Sequence, residues 1–153
     1  MTLNLGLDHI ALRAYDLNET VDFYNTLGFN TLTEWSAPDS GVNRCVFLDA
    51  GDGRVLEIFD AASTPVGGSS IPLDPAAERP ADEDRSRNAS LIHFAVRTDN
   101  PDILHDRAVD AGARSIMVPT EIDTKGPACM TIEIAVVYGL NGEVVEFIKR
   151  PNL

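Results

Sequence analysis

One apolar stretch occurs twice in this chain. Leu7-Asp8-His9-Ile10-Ala11-Leu12-Arg13 returns as Leu91-Ile92-His93-Phe94-Ala95-Val96-Arg97. His9 and His93, Arg13 and Arg97, and Gly28 and Gly112 are each 84 residues apart. A second pair of segments matches at a slightly longer offset. Gly53-Arg54-Val55-Leu56-Glu57-Ile58-Phe59 is echoed by Gly142-Glu143-Val144-Val145-Glu146-Phe147-Ile148, with Gly53 and Gly142 and also Glu57 and Glu146 separated by 89 residues. Fixed offsets of this kind mark an internal repeat, and a repeat dictates the fold more strongly than any local propensity. Each half carries a histidine early and a glutamate late, both inside apolar strand-like runs.

The local signals give the same order of elements in both halves. His9 to Ala14 reads as a strand. Asp16 and Glu19 are spaced as a capping box, and Leu17, Val21, Tyr24 and Leu27 follow at helical spacing. Gly28 closes that helix. Asn30 to Ser36, Arg44 to Ala50 and Arg54 to Phe59 read as strands, separated by turn chemistry at Pro38–Gly41 and Gly51–Gly53. In the second half Leu91 to Thr98 is a strand. Asn100-Pro101 opens a helix, whose apolar face is Ile103, Leu104, Ala108 and Ala111, and Gly112 ends it. Arg114 to Val118, Met130 to Tyr138 and Glu143 to Lys149 are strands. Thr120 to Ala128 reads as a polar loop, and Leu140-Asn141-Gly142 as a hairpin turn. The domain reading is a single domain over 1–153: module one at 1–60, a linker or lid loop at 61–90, and module two at 91–153. The middle segment is rich in proline, glycine and charge, with no periodicity.

Composition narrows the function. At 153 residues with 44% apolar residues the chain can bury a core. A formal charge of −12 repels phosphate backbones and anionic membranes, so nucleic acid is not expected as a partner. Cys45 and Cys129 form no Cys-x-x-Cys pair and suggest no disulfide framework. No basic leader or long apolar run is seen, so neither a signal peptide nor a membrane span is expected, and the reading is a cytoplasmic protein.

Chemistry rests on the repeated histidine and glutamate. Glu57 and Glu146 lie in strands that are apolar on both faces. A carboxylate there costs much desolvation unless it is paired or bound to a metal. A single such glutamate, or a single histidine in a strand, is ordinarily a satisfied core group; the recurrence of both asks for a shared cause. Pseudo-two-fold symmetry would bring His9, Glu57, His93 and Glu146 towards one axis. Two imidazoles and two carboxylates suit a divalent transition metal such as Zn, Ni, Co, Mn or Fe. His105 has no counterpart in the first half and reads as a surface residue. Arg13 and Arg97 each follow a histidine by four residues, on the same strand face about 13 Å away. Either arginine could grip a substrate carboxylate or form a strand-end salt bridge.

The strand–helix–three-strand repeat, with Asp8-His9-Ile10-Ala11-Leu12-Arg13, Phe23-Tyr24, Leu27-Gly28-Phe29 and Gly142-x-x-x-Glu146, resembles the vicinal oxygen chelate superfamily, and within it glyoxalase I and related lyases. The resemblance covers nearly the whole chain except Asp60 to Ser90. It implies an α+β fold in which two modules form a curved, open mixed sheet around one metal. The implied metal ligands are His9, Glu57, His93 and Glu146, the alternating histidine–glutamate order of the glyoxalase branch. Ring-cleaving dioxygenases usually use two histidines and one glutamate, and related epimerases often carry glutamine where this chain has Glu57. The implied function is a metal-dependent lyase or isomerase acting on a small carbonyl or thiohemiacetal substrate through an enediolate. Glu146 or Glu57 would be the base, and Arg13 and Arg97 would contact substrate. Where glyoxalase I commonly places polar residues for glutathione, this chain has Asp60-Ala61-Ala62-Ser63, which argues against glutathione itself. Relatives are commonly homodimers, so a homodimer is expected. The alternatives are an extradiol-type dioxygenase and a non-catalytic, antibiotic-sequestering binding protein of the same superfamily.

Overall fold

The repeated sequence folds into a repeated topology. The computed structural model describes residues 9–51, 53–65, 70–76, 93–123 and 130–151. β1 (His9–Arg13) leads to α1 (Leu17–Thr26), β2 (Asn30–Ala37), a 3-10 turn at Pro38–Ser40, β3 (Val42–Asp49) and β4 (Val55–Phe59). β5 (Phe94–Arg97), α2 (Pro101–Asp110), β6 (Arg114–Asp123), β7 (Thr131–Tyr138) and β8 (Val144–Lys149) repeat that order. The fold is α+β, with two four-stranded mixed sheets ordered β1-β4-β3-β2 and β5-β8-β7-β6. The first strand of each sheet runs parallel to the last, and the other pairs are antiparallel. The chain divides into two compact units, 1–77 and 78–153. Among the described residues no helix is long and apolar enough to cross a membrane.

Sequence chemistry sets the starts and stops. The Asp16 carboxylate accepts the Glu19 backbone N–H at 2.9 Å and caps α1. Both helices end at a glycine with positive φ, +94° at Gly28 and +100° at Gly112. A side chain resists that conformation, which explains why this landmark recurs at the repeat offset. In unit one α1 buries Leu17, Thr20, Phe23 and Tyr24. Leu48 on β3 and Leu56 and Ile58 on β4 are buried on a shared face of the sheet. Each large apolar side chain removed from water in this way contributes about 1.5–3 kcal/mol. In unit two Ala135, Val137, Val145 and Phe147 are fully buried, and α2 packs across β6, β7 and β8.

Two expectations change. α2 turns Pro101, His105 and Ala108 inward, while Ile103 is 47% exposed. His105 is therefore a buried residue, not a surface one; its Nε2 lies 2.8 Å from the Ser115 hydroxyl on β6, so the polar ring is satisfied where it is buried. β6 runs on to Asp123, because Glu121, Ile122 and Asp123 pair with Glu133, Ile132 and Thr131. Only the first residues of the segment expected as a polar loop are thus strand, and residues 124–129 lie outside the described residues, as does Cys129. The linker-or-lid segment is described at 61–65 and 70–76; the rest of it, 66–69 and 77–90, lies outside the described residues, as do residues 91–92 at the start of module two.

Candidate functional site

Each unit brings its own histidine to its own glutamate. β1 lies parallel to β4 with Ala11 opposite Glu57, which leaves His9 one residue pair up the same face. His9 Nε2 is 3.4 Å from Glu57 Oε2. In unit two Ala95 stands opposite Glu146 in the same way, and His93 Nε2 is 2.8 Å from Glu146 Oε2. The burial matches too. The Glu57 and Glu146 side chains are only 10% and 12% exposed, whereas His9 and His93 are 46% and 44% exposed. A nearly desolvated carboxylate facing a half-exposed imidazole is a donor pair that opens towards solvent.

The neighbours of Glu57 come from β3 and β2. Phe47 is directly opposite Glu57, and Cys45 is opposite Phe59 on the same face. The Cys45 thiol lies 3.8 Å from Glu57 Oε1. Cys45 is fully buried, and burial, followed by the Glu57 charge, pushes its pKa up to about 12. It is therefore a neutral thiol, able to donate to the carboxylate and shielded from oxidants. Trp35 pairs with Cys45 across β2 and β3, and its ring meets those of Phe47 and Phe59 edge-on. Neither Cys45 nor these rings stand out in the sequence. Within one strand the signal is the spacing of Cys45 and Phe47, and of Glu57 and Phe59, by two residues, which puts each pair on one face; Trp35 joins them only through the register.

The two arginines share a placement. Arg13 Nη1 donates to the Ser63 carbonyl at 2.9 Å and the Ile71 carbonyl at 3.0 Å. Arg97 Nη2 donates to the Arg150 carbonyl at 3.0 Å. Each guanidinium thus clasps the backbone that leaves the last strand of its module. Around Ser63 the segment is tied further. Asp60 accepts from the Ser63 hydroxyl, from the Asn43 amide and from the backbone N–H groups of Ser63 and Arg44. Burial pushes the Asp60 carboxyl up, but these hydrogen bonds outweigh it and hold it below its ordinary value. Thr64 N–H donates to the Gly41 carbonyl at 2.7 Å. Asp60 and Ser63 are consumed in building this turn.

The donor pairs suit a metal chemically. Two ligands of one divalent ion, each bound at roughly 2.1 Å, lie roughly 3 Å apart, and both His–Glu distances fall near that value. Neutral imidazole with carboxylate is a common donor set for the first-row divalent ions. Each unit supplies two such donors. Among the described residues no group of three or more histidine, cysteine, aspartate and glutamate side chains is gathered into one metal site.

Comparison with known proteins converges on one family. The model of the Glyoxalase/Bleomycin resistance protein/Dioxygenase superfamily matches residues 6–147. None of the curated proteins matches the sequence. Solved structures share the fold at low identity. A glyoxalase family protein from Enterococcus faecalis aligns with TM-score 0.64 and 18% identity, covering 97% of this chain and 100% of its own. A glyoxalase I mutant from Zea mays aligns with TM-score 0.62 and 20% identity, covering 95% of this chain and 45% of its own. An integron cassette protein from the mobile metagenome of V. cholerae aligns with TM-score 0.60 and 15% identity, covering 97% of both chains.

Proposed function

The chain belongs to the Glyoxalase/Bleomycin resistance protein/Dioxygenase superfamily, and we propose that within it the protein is a metal-dependent, glyoxalase-like lyase or isomerase acting on a small carbonyl or thiohemiacetal substrate. The observation that carries this reading is the recurrence of one His–Glu pair, with the same burial, at the same place in both units. A carboxylate kept nearly dry in each sheet has a stability cost, and a shared role at a divalent ion accounts for both at once.

His9, Glu57, His93 and Glu146 would hold a divalent metal such as Zn, Ni, Co, Mn or Fe. When bound, the metal supplies Lewis acidity towards neighbouring oxygens of the substrate. The chain's own residues do the rest. One of Glu57 and Glu146 takes the proton from the carbon beside a carbonyl and returns it to the adjacent carbon. The other stays in place and keeps its histidine oriented. Arg13 and Arg97 contribute contacts to a substrate carboxylate, in addition to the carbonyls they clasp. The working unit is a homodimer.

The test is turnover of thiol–methylglyoxal adducts, made with glutathione and with smaller thiols, in metal-loaded protein under nitrogen and in air. Proton transfer needs no oxygen, so the rates should agree. Glu57→Gln and Glu146→Gln should each lower kcat about a hundredfold or more, the size of a general-base effect. Oxygen-requiring turnover of catechols would replace this reading with a ring-cleaving dioxygenase. Tight ligand binding without turnover of any substrate would replace it with a binding protein.

A further inference from the structure

The two modules set the same His–Glu pair on faces of different character, and strand register allows the comparison residue by residue. Phe47 stands opposite Glu57, and Val136 stands opposite Glu146. Phe59 pairs with Cys45, which pairs with Trp35; Ile148 pairs with Ile134, which pairs with Thr120. Trp35, Phe47 and Phe59 on the first face therefore correspond to Thr120, Val136 and Ile148 on the second. The topology does not demand the rings, since the second sheet has the same strand order without them.

The rings form a wall. Trp35 meets Phe47 at 5.8 Å and Phe59 at 6.2 Å between centroids, both edge-on. Phe59 is buried behind, while Trp35 and Phe47 are half-buried and keep part of their surface open. The indole N–H of Trp35 is buried with no hydrogen-bond acceptor among the described residues. Phenylalanine would keep the ring contacts without stranding a donor, so packing alone does not account for tryptophan at this position. Local rules broken at a stability cost concentrate at functional sites.

We propose that this wall is the specificity surface of the His9–Glu57 site and selects a substrate bearing an aryl group beside the reacting carbonyl. The inference rests on the reading that this face receives the substrate. Cross-strand neighbours place their Cβ atoms about 5 Å apart, so a substituent on a carbon reached by Glu57 lies against Phe47. An aryl ring there gains edge-to-face or offset contacts beyond its buried area. A methyl group covers little of the wall.

The chain has one tryptophan, so intrinsic emission reports Trp35 directly. Metal-loaded protein is titrated with mandelate, an aryl hydroxy acid, and with lactate, its methyl counterpart. Turnover is compared for phenylglyoxal and methylglyoxal adducts of one small thiol. Mandelate should change the emission saturably and lactate should not. The kcat/KM for the phenyl adduct should be roughly tenfold or more above that for the methyl adduct. Trp35→Thr, which installs the residue type of the second module, should bring that ratio close to one. Emission silent to mandelate together with equal kcat/KM overturns the inference and leaves the lyase reading intact. A saturable mandelate response in protein that turns over neither adduct overturns the lyase reading and leaves the aryl-selective surface standing.

Discussion

Glu57 shows what a single residue reveals and what it hides. Its place in a strand apolar on both faces is visible in the sequence, and so is its twin Glu146. That Cys45 stands beside it is not, because the contact depends on the β3–β4 register, which no local pattern fixes. Asp60 makes a sharper case. It follows the first glutamate strand, where a polar side chain could face a ligand, yet its carboxylate is taken up by Asn43, Ser63 and two backbone N–H groups. Because its folded pKa lies below its unfolded one, its stabilisation is present above the unfolded value and is lost as pH falls through the folded one. Asp60→Asn should cost about 1.5–3 kcal/mol at pH 7 and much less at acid pH, as read from denaturant midpoints. A penalty that stays constant down to strongly acid pH would contradict this. Arg13→Lys keeps the charge but loses the planar fork. It should lower the melting temperature by loosening Ser63 and Ile71, and raise KM with metal content unchanged. An unaltered KM for the true substrate would leave Arg13 as a clasp only.

At the scale of elements, the glycines at the helix ends are the most direct evidence that one local design is used twice. Gly28 has open space where a Cβ would sit, whereas at Gly112 a Cβ would come within 3.3 Å of Leu140. Gly28→Ala should therefore cost only the backbone strain, about 1–2 kcal/mol, and Gly112→Ala somewhat more. Thermal unfolding of both variants checks the order, and a neutral Gly28→Ala would refute the strained-end reading. Strand–helix order, the capping box at Asp16 and most strand positions are legible in the sequence, since each rests on periodicity or a named stop signal. The face of α2 is legible only in part: Ala108 is buried and Leu104 and Ala111 are half-buried, as the spacing implies. Apolar spacing also includes Ile103, which is exposed, and misses the hydrogen-bonded His105 in the inward row, because polar residues with a buried partner are invisible to hydrophobic patterning. The end of β6 is hidden for a related reason. Glu121-Ile122-Asp123 alternates over too few residues to mark a strand, and it is held by its ladder with β7, with only Ile122 half-buried.

For the whole molecule, the repeat makes the two-module organisation readable in the amino-acid sequence alone. The inequality of the modules is not readable there, because it emerges only when Trp35 is matched to Thr120 through the strand pairing. Each four-stranded sheet is open, ending in β1 and β2 or in β5 and β6, and the edges of an open sheet favour cover by another chain. A dimer is the proposed state, and light scattering should give twice the chain mass; a monomer at working concentration would contradict it. Metal binding is the role proposed for the two His–Glu pairs. Elemental analysis of protein reconstituted with Zn, Ni, Co, Mn or Fe tests it most directly. About one divalent ion per chain, a melting temperature raised by the ion, and loss of both in His9→Ala and in His93→Ala are the expected results. No retained metal after reconstitution, or a melting temperature indifferent to it, would contradict the claim.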